Sequence, residues 1–460
     1  MAMGIRRTGF CLLLGCCLLL FPALPVRAMS DGMVAWHGRQ LLAGDDAEVA
    51  RAAAALVARG KRDVVPTLIL ALRYGRQDEV YQDALRRLTG HDAGRWFDWM
   101  LWQETHPEPP PHPSYLDAKL SVLLRIDPNF MRFLTPSLMR PERMKIRLEE
   151  ITWGGVRVDG IPTLDHPDFL AAAEADYLAE DDLVFGVSIN GDHRAYPLRI
   201  MGWHEMFNDT VGGVDLALAY CTLCGAGILF ESRLPDRPEP FMFGSSGLLY
   251  RSNKLMFDRQ TDSLWNQFTG RPVSGALVDS GIELKIRPVV VSDWATWRRD
   301  HPDTKVLSLE TGHRRDYGSG AVYRDYFASP ELMFPARVDQ RRLAQKDRVF
   351  GIRTVGAAKA WPLATFRGGR VINDQIGDLP LVLIGDADRR TVRAYRRGNG
   401  RFRTGDAPNT LSGPGGTWTV GEENLLGPAG EKLARMPGHI AYWFAWNNYL
   451  GPASELAGER

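Results

Sequence analysis

Val184-Phe-Gly-Val-Ser-Ile-Asn-Gly-Asp-His-Arg-Ala-Tyr-Pro-Leu198 returns 165 residues later as Val349-Phe-Gly-Ile-Arg-Thr-Val-Gly-Ala-Ala-Lys-Ala-Trp-Pro-Leu363. The match runs without a gap from 184–218 onto 349–383, with 12 identities in 35 positions where about two would arise by chance. It keeps Asn208-Asp209 at Asn373-Asp374, Gly212 at Gly377, and Leu216 and Leu218 at Leu381 and Leu383. Within it, Asn190-Gly191 between two alternating apolar runs predicts a two-residue hairpin. Trp294-x-x-Trp297 is echoed by Trp443-x-x-Trp446, 149 residues on. The pattern predicts two related β-rich repeats.

Ahead of them the rhythm differs. Val49, Ala52, Ala53, Leu56 and Val57 fall at helical spacing, and Pro66 opens a further apolar stripe. Paired short helices of this kind resemble HEAT repeats, which present interaction surfaces, or else a helical cap over the main domain. Pro107-Glu-Pro-Pro-Pro-His-Pro113 predicts a stiff linker, with His106 and His112 solvated beside it. The expected fold class is therefore α+β: a mainly β core built from two related repeats, preceded by a small α-helical HEAT-like region. The expected boundaries are a helical region and linker at 31–113, a helical connector at 114–150, a first repeat at 151–310 and a second at 335–452.

The first residues predict export. Arg6 and Arg7 precede an apolar run from Gly9 to Leu24 that ends in Pro25-Val-Arg-Ala28, the pattern of a signal peptide at 1–28 cleaved after Ala28. A lipoprotein reading would use Leu13-Leu-Gly-Cys16, but the apolar run continues through Leu20. No later stretch is apolar enough for a transmembrane segment, so a periplasmic or secreted protein is expected. Without the signal, 53 Lys and Arg face 55 Asp and Glu, a net charge of about −2 with no basic tract. That argues against nucleic acid as a partner. A partner, if any, would be another envelope protein docking on the helical region.

Removing the signal leaves Cys221 and Cys224, in Tyr220-Cys-Thr-Leu-Cys-Gly225, as the remaining cysteines. Asp215–Tyr220 reads as a strand entering this motif and Gly225–Phe230 as a strand leaving it, because two glycines in three positions start a helix poorly. The pair is thus expected on a β-turn, away from the helix N-terminus that lowers thiol pKa in thioredoxin-like motifs. Thiol redox chemistry, a soft-metal site for copper or zinc, and a short-ring disulfide staple all fit such a knuckle.

The repeat sorts scaffold from site. Cys221 and Cys224 become Asp386 and Arg389 in the second copy, and His204 and Glu205 become Gly369 and Arg370. Cys221, Cys224, His204 and Glu205 are therefore the candidate catalytic residues, with Cys221, Cys224 and His204 as the alternative metal ligands. Asn208-Asp209, present in both copies, is expected to form a turn. Gly244-Ser-Ser-Gly247 is read likewise, since it lacks the spacing of a nucleophile elbow. The polar run Arg251–Asp258 with Asp262–Gln267 suits either a small-molecule cleft or polar strand edges. The alternative to a chemical site is a non-catalytic envelope scaffold with a structural disulfide.

Several motifs in order also carry a resemblance: Asp159-Gly-Ile-Pro-Thr-Leu-Asp165, Trp203-His-Glu205, Asn208-Asp-Thr-Val-Gly-Gly213, Tyr220-Cys-Thr-Leu-Cys-Gly225, Met256-Phe-Asp-Arg259 and Tyr442-Trp-Phe-Ala-Trp446. Residues of about 150–450 resemble the prokaryotic family of domain of unknown function 3179. The resemblance implies no activity. The chain departs from the family pattern at Thr222, where proline is usual, and losing that fixed φ loosens the knuckle. The N-terminal helical region lies outside the resemblance.

Overall fold

A computed structural model describes residues 29–134, 142–451 and 454–458, together with Met1 and Arg140. Residues 2–28, which carry most of the expected export signal, lie outside them. The fold is mixed α+β, with 11 α-helices and five sheets among the described residues.

Six helices come first: Asp31–Ala43, Asp46–Arg59, Val65–Tyr74, Asp78–Thr89, Trp96–Thr105 and Tyr115–Ile126. Their ends follow local chemistry. Asp45 and Glu48 form a reciprocal capping box, and Gly60 closes the same helix in the left-handed conformation. Their apolar faces, including Leu41, Leu56, Leu68, Leu85 and Trp99, share one core with Ile151, Leu248, Leu255 and Phe257 of a five-stranded sheet. The helices thus cover that sheet. The linker is less solvated than expected: His112 is buried, with Nδ1 2.8 Å from Ser114 Oγ and Nε2 3.3 Å from Asp31 Oδ1. His106 does stay exposed, stacked on Trp102.

The matched sequences build matched pairings. Leu183–Ile189 pairs antiparallel with Asp192–Pro197, and Arg348–Thr354 with Ala357–Pro362, in registers offset by 165 (Val184 with Pro197, Val349 with Pro362). Asn190 and Gly191 both take positive φ, which makes the expected hairpin turn. Each pair gains a parallel third strand, Lys305–Leu307 in one and Ser454–Leu456 in the other. Three-stranded antiparallel meanders follow: Met206–Val211, Val214–Cys221 and Ala226–Glu231, then Arg370–Ile376, Leu379–Asp386 and Thr391–Arg396.

Two expected turns are strands instead. Asn208 lies in the strand Met206–Val211, where its amide donates to Phe243 O and accepts from Phe243 N, both at 2.9 Å. Asn373 clamps Phe402 in the same way at 2.7 and 2.8 Å, so the recurring Asn holds a crossing stretch of backbone. Asp209 accepts from the Tyr196 hydroxyl as Asp374 does from the Trp361 indole, each at 2.7 Å. Gly244–Gly247 belongs to the strand Phe243–Tyr250, which carries a register shift against its partner and a positive φ at Gly247.

Candidate functional site

The strands Val214–Cys221 and Ala226–Glu231 form a hairpin whose last pair is Cys221 with Ala226. Residues 222–225 make its turn, closed by Cys224 N donating to Cys221 O at 3.1 Å and Gly225 N to Thr222 O at 3.2 Å. Gly225 has φ +59°, and a Cβ there would sit 3.2 Å from the Tyr442 ring, which accounts for glycine after the second cysteine. The turn brings the two sulfurs to 2.6 Å. Both cysteines are buried and unpaired.

Tyr442, at the end of the strand Gly438–Tyr442, seals the turn from one side: its N–H donates to Cys224 O at 2.7 Å. From another side the Tyr326 hydroxyl donates to Leu223 O at 2.7 Å, and its ring joins the apolar cluster around the thiols. Asn253 Nδ2 donates to Cys224 Sγ at 3.1 Å and to Gln267 Oε1 at 2.7 Å. Gln267 in turn donates to Ala219 O and Ala226 O, on the two strands of the hairpin. Burial, reinforced by Cys221, pushes the Cys224 thiol well above its ordinary range. This is the opposite of the electropositive setting that creates a reactive thiolate.

Glu205 lies beside the motif. Its Oε1 accepts from Thr222 Oγ1 at 2.7 Å, and its Oε2 lies 2.9 Å from Lys254 Nζ in an ion pair that is buried on both sides. Glu205 itself caps the helix Leu198–His204 with φ +57°, and that left-handed step separates its side chain from its neighbour's. His204 turns elsewhere. Its Nδ1 contacts Pro162 O at 2.8 Å and its Nε2 the Tyr317 hydroxyl at 2.6 Å, so both ring nitrogens are taken.

The ligand set Cys221, Cys224 and His204 is accordingly not assembled. Among the described residues no three His, Cys, Asp or Glu side chains come together in a way that could hold a metal ion. Asn253, which reaches Cys224, Gln267, which holds Asn253, and Lys254, which pairs with Glu205, all lie in the polar run read from sequence as a cleft or strand edge. Their signal was there: Asn253-Lys254 opens a strand that continues in apolar Leu255-Met-Phe257, and buried polar groups need partners.

The family model described as "Protein of unknown function (DUF3179)" matches residues 158–453, so the chain belongs to that family. No curated protein and no solved structure matches it.

Proposed function

Starting from a family without an assigned activity, we propose that this chain is an exported protein whose Cys221 and Cys224 form a buried, reversible disulfide couple. The observation that carries this reading is the hairpin turn that holds the two sulfurs 2.6 Å apart, about half an ångström beyond a disulfide bond. Burial adds to it. A thiolate is disfavoured in this setting, whereas a disulfide carries no charge and is at home among Tyr326, Tyr442 and Trp443.

In an oxidising compartment the couple closes by exchange with a partner disulfide. One thiol loses its proton and attacks a partner sulfur, which releases the partner's first thiol. The other then displaces the mixed disulfide and releases the second. Two electrons and two protons pass to the partner. Glu205, joined to the turn through Thr222 and charge-paired with Lys254, is the nearby carboxylate assigned to proton transfer.

The rest of the architecture fits this role as scaffold. The first and second β units, at 151–310 and 335–452, are proposed to descend from one duplicated unit, on the strength of their matched registers and matched Asn clamps. The helical HEAT-like region is proposed to serve as a cap, because its core is continuous with the first unit's sheet.

The test is thiol counting under denaturing conditions, so that burial does not hide a free thiol, and metal analysis on the native protein, both on material isolated from an oxidising compartment. The expected result is no alkylatable thiol until reductant is added, two afterwards, and no stoichiometric metal. Bound copper or zinc that is lost in Cys221→Ser, or two free thiols in the isolated protein, would overturn the reading.

A further inference from the structure

A cavity of about 500 Å³ opens where the two β units meet, within the size of about 300–1,000 Å³ usual for small-molecule sites. Arg348, at the start of the strand Arg348–Thr354, and Arg390, in the hairpin turn before Thr391–Arg396, both line it. Among the described residues neither guanidinium has a carboxylate within ion-pair distance. The cavity's third arginine, Arg199, is neutralised by Asp182 at 2.8 Å, and Asp181 is exposed at its edge. Two cations are thus left over.

The positions 165 residues earlier, Leu183 and Gly225, line the same cavity. Each unit therefore offers the same two places, and the second unit has put arginine in both. At one of them the backbone resists that choice. Gly225 and Arg390 both hold left-handed φ, +59° and +53°, a conformation natural to glycine and strained for arginine. Strain kept at a cavity wall marks a side chain needed there. Burial and the nearness of Arg348 push the Arg390 pKa down, as expected for two uncompensated cations facing one space.

The remaining walls define the rest of a ligand. Tyr220 and Tyr442 bring phenols, and Arg348 reaches the Tyr442 hydroxyl at 3.4 Å. Phe185, Val291 and Ile440 add apolar surface. We propose that this cavity binds a small organic anion, its carboxylate or phosphate held by Arg348 and Arg390 and its apolar body against Phe185, Val291 and Ile440. Guanidinium forks are suited to both headgroups. The site stands without the thiol reading, since Tyr220 and Cys221 alternate to opposite faces of their strand.

Isothermal titration of the full chain, freed of its export signal, tests this with phenyl phosphate, benzoate and neutral benzyl alcohol as probes. At least one of the two anions should bind saturably, and benzyl alcohol should not. Arg390→Gly installs the first unit's residue and relieves a strained φ, so it should fold. It and Arg348→Leu should each weaken anion binding roughly tenfold, the scale of one lost charged hydrogen bond. No saturable binding of either anion, equal binding of the alcohol, or unchanged affinity in either variant overturns the proposal.

Discussion

Glu205 and Lys254 form a buried ion pair directly behind the CxxC turn, with Oε2 and Nζ 2.9 Å apart and Thr222 bonded to the other carboxylate oxygen. Removing one member strands the other charge away from water. Glu205→Gln should therefore cost about 3–5 kcal/mol, and Glu205→Gln with Lys254→Met together much less, because no charge is then stranded. Chemical denaturation of both variants checks this. A single variant within about 0.5 kcal/mol of the parent would mean that the pair does not hold the turn.

His204 gives the stability a pH dependence. Burial lowers its pKa from the ordinary 6.5 to about 4, and the Tyr317 and Pro162 contacts suit a neutral ring that donates from Nδ1 and accepts at Nε2. Between those two values the unfolded chain binds a proton that the folded chain refuses, so stability falls as pH drops from 6.5 toward 4. Buried His439, lowered to about 3, acts in the same direction. His204→Gln should flatten part of this acid slope and leave the part carried by the other lowered histidines, His439, His193 and His37. Urea titrations at pH 7, 5.5 and 4.5 would show it, and an unchanged slope would refute it.

How far the sequence could be read depends on the range of the contacts. The Asn190-Gly191 hairpin and the β setting of the cysteines were legible because turn chemistry is local. The metal set was not. It assumed that adjacent residues act together, while the left-handed Glu205 sends its side chain to Thr222 and that of His204 to Tyr317. Asn208 misled for a related reason: a turn-forming residue becomes a strand clamp only when Phe243, 35 residues away, runs past it. Asn253 reaches Cys224 and Lys254 reaches Glu205 through strand pairing, which no local pattern announces.

The recurring Val-Phe-Gly and the Trp echo turn out to be one device. A Cβ at Gly186 would overlap the Trp297 ring, and one at Gly351 the Trp446 ring. Each indole then donates onward, to Thr304 Oγ1 at 2.9 Å and to Ser454 Oγ at 2.6 Å. Gly351→Ala should therefore destabilise by about 1–3 kcal/mol through overpacking. The same substitution should cost clearly less in a Trp446→Ala background, where the overlapping ring is gone. Denaturation midpoints of the four proteins in this cycle decide it, and additive costs would rule out the contact.

Tyr326 is the cover over the thiols. Its ring packs in their apolar cluster, its hydroxyl ties to Leu223 O, and Lys346 Nζ lies 3.5 Å from the ring centroid on the segment that holds it in place. Burial and the neighbouring cysteines push the Tyr326 phenol above its usual range, which agrees with a dry contact. Alkylation of the reduced, folded protein should therefore be slow, because the sulfurs are reached only when the cover opens locally. Tyr326→Ala should speed alkylation by roughly tenfold, equivalent to about 1.4 kcal/mol of lost protection. Tyr326→Phe keeps the ring and loses one hydrogen bond to a carbonyl, so it should change the rate far less. Mass-resolved iodoacetamide kinetics on the three proteins separate these cases. Equal rates for the parent and Tyr326→Ala would show that the thiols are reached by another route.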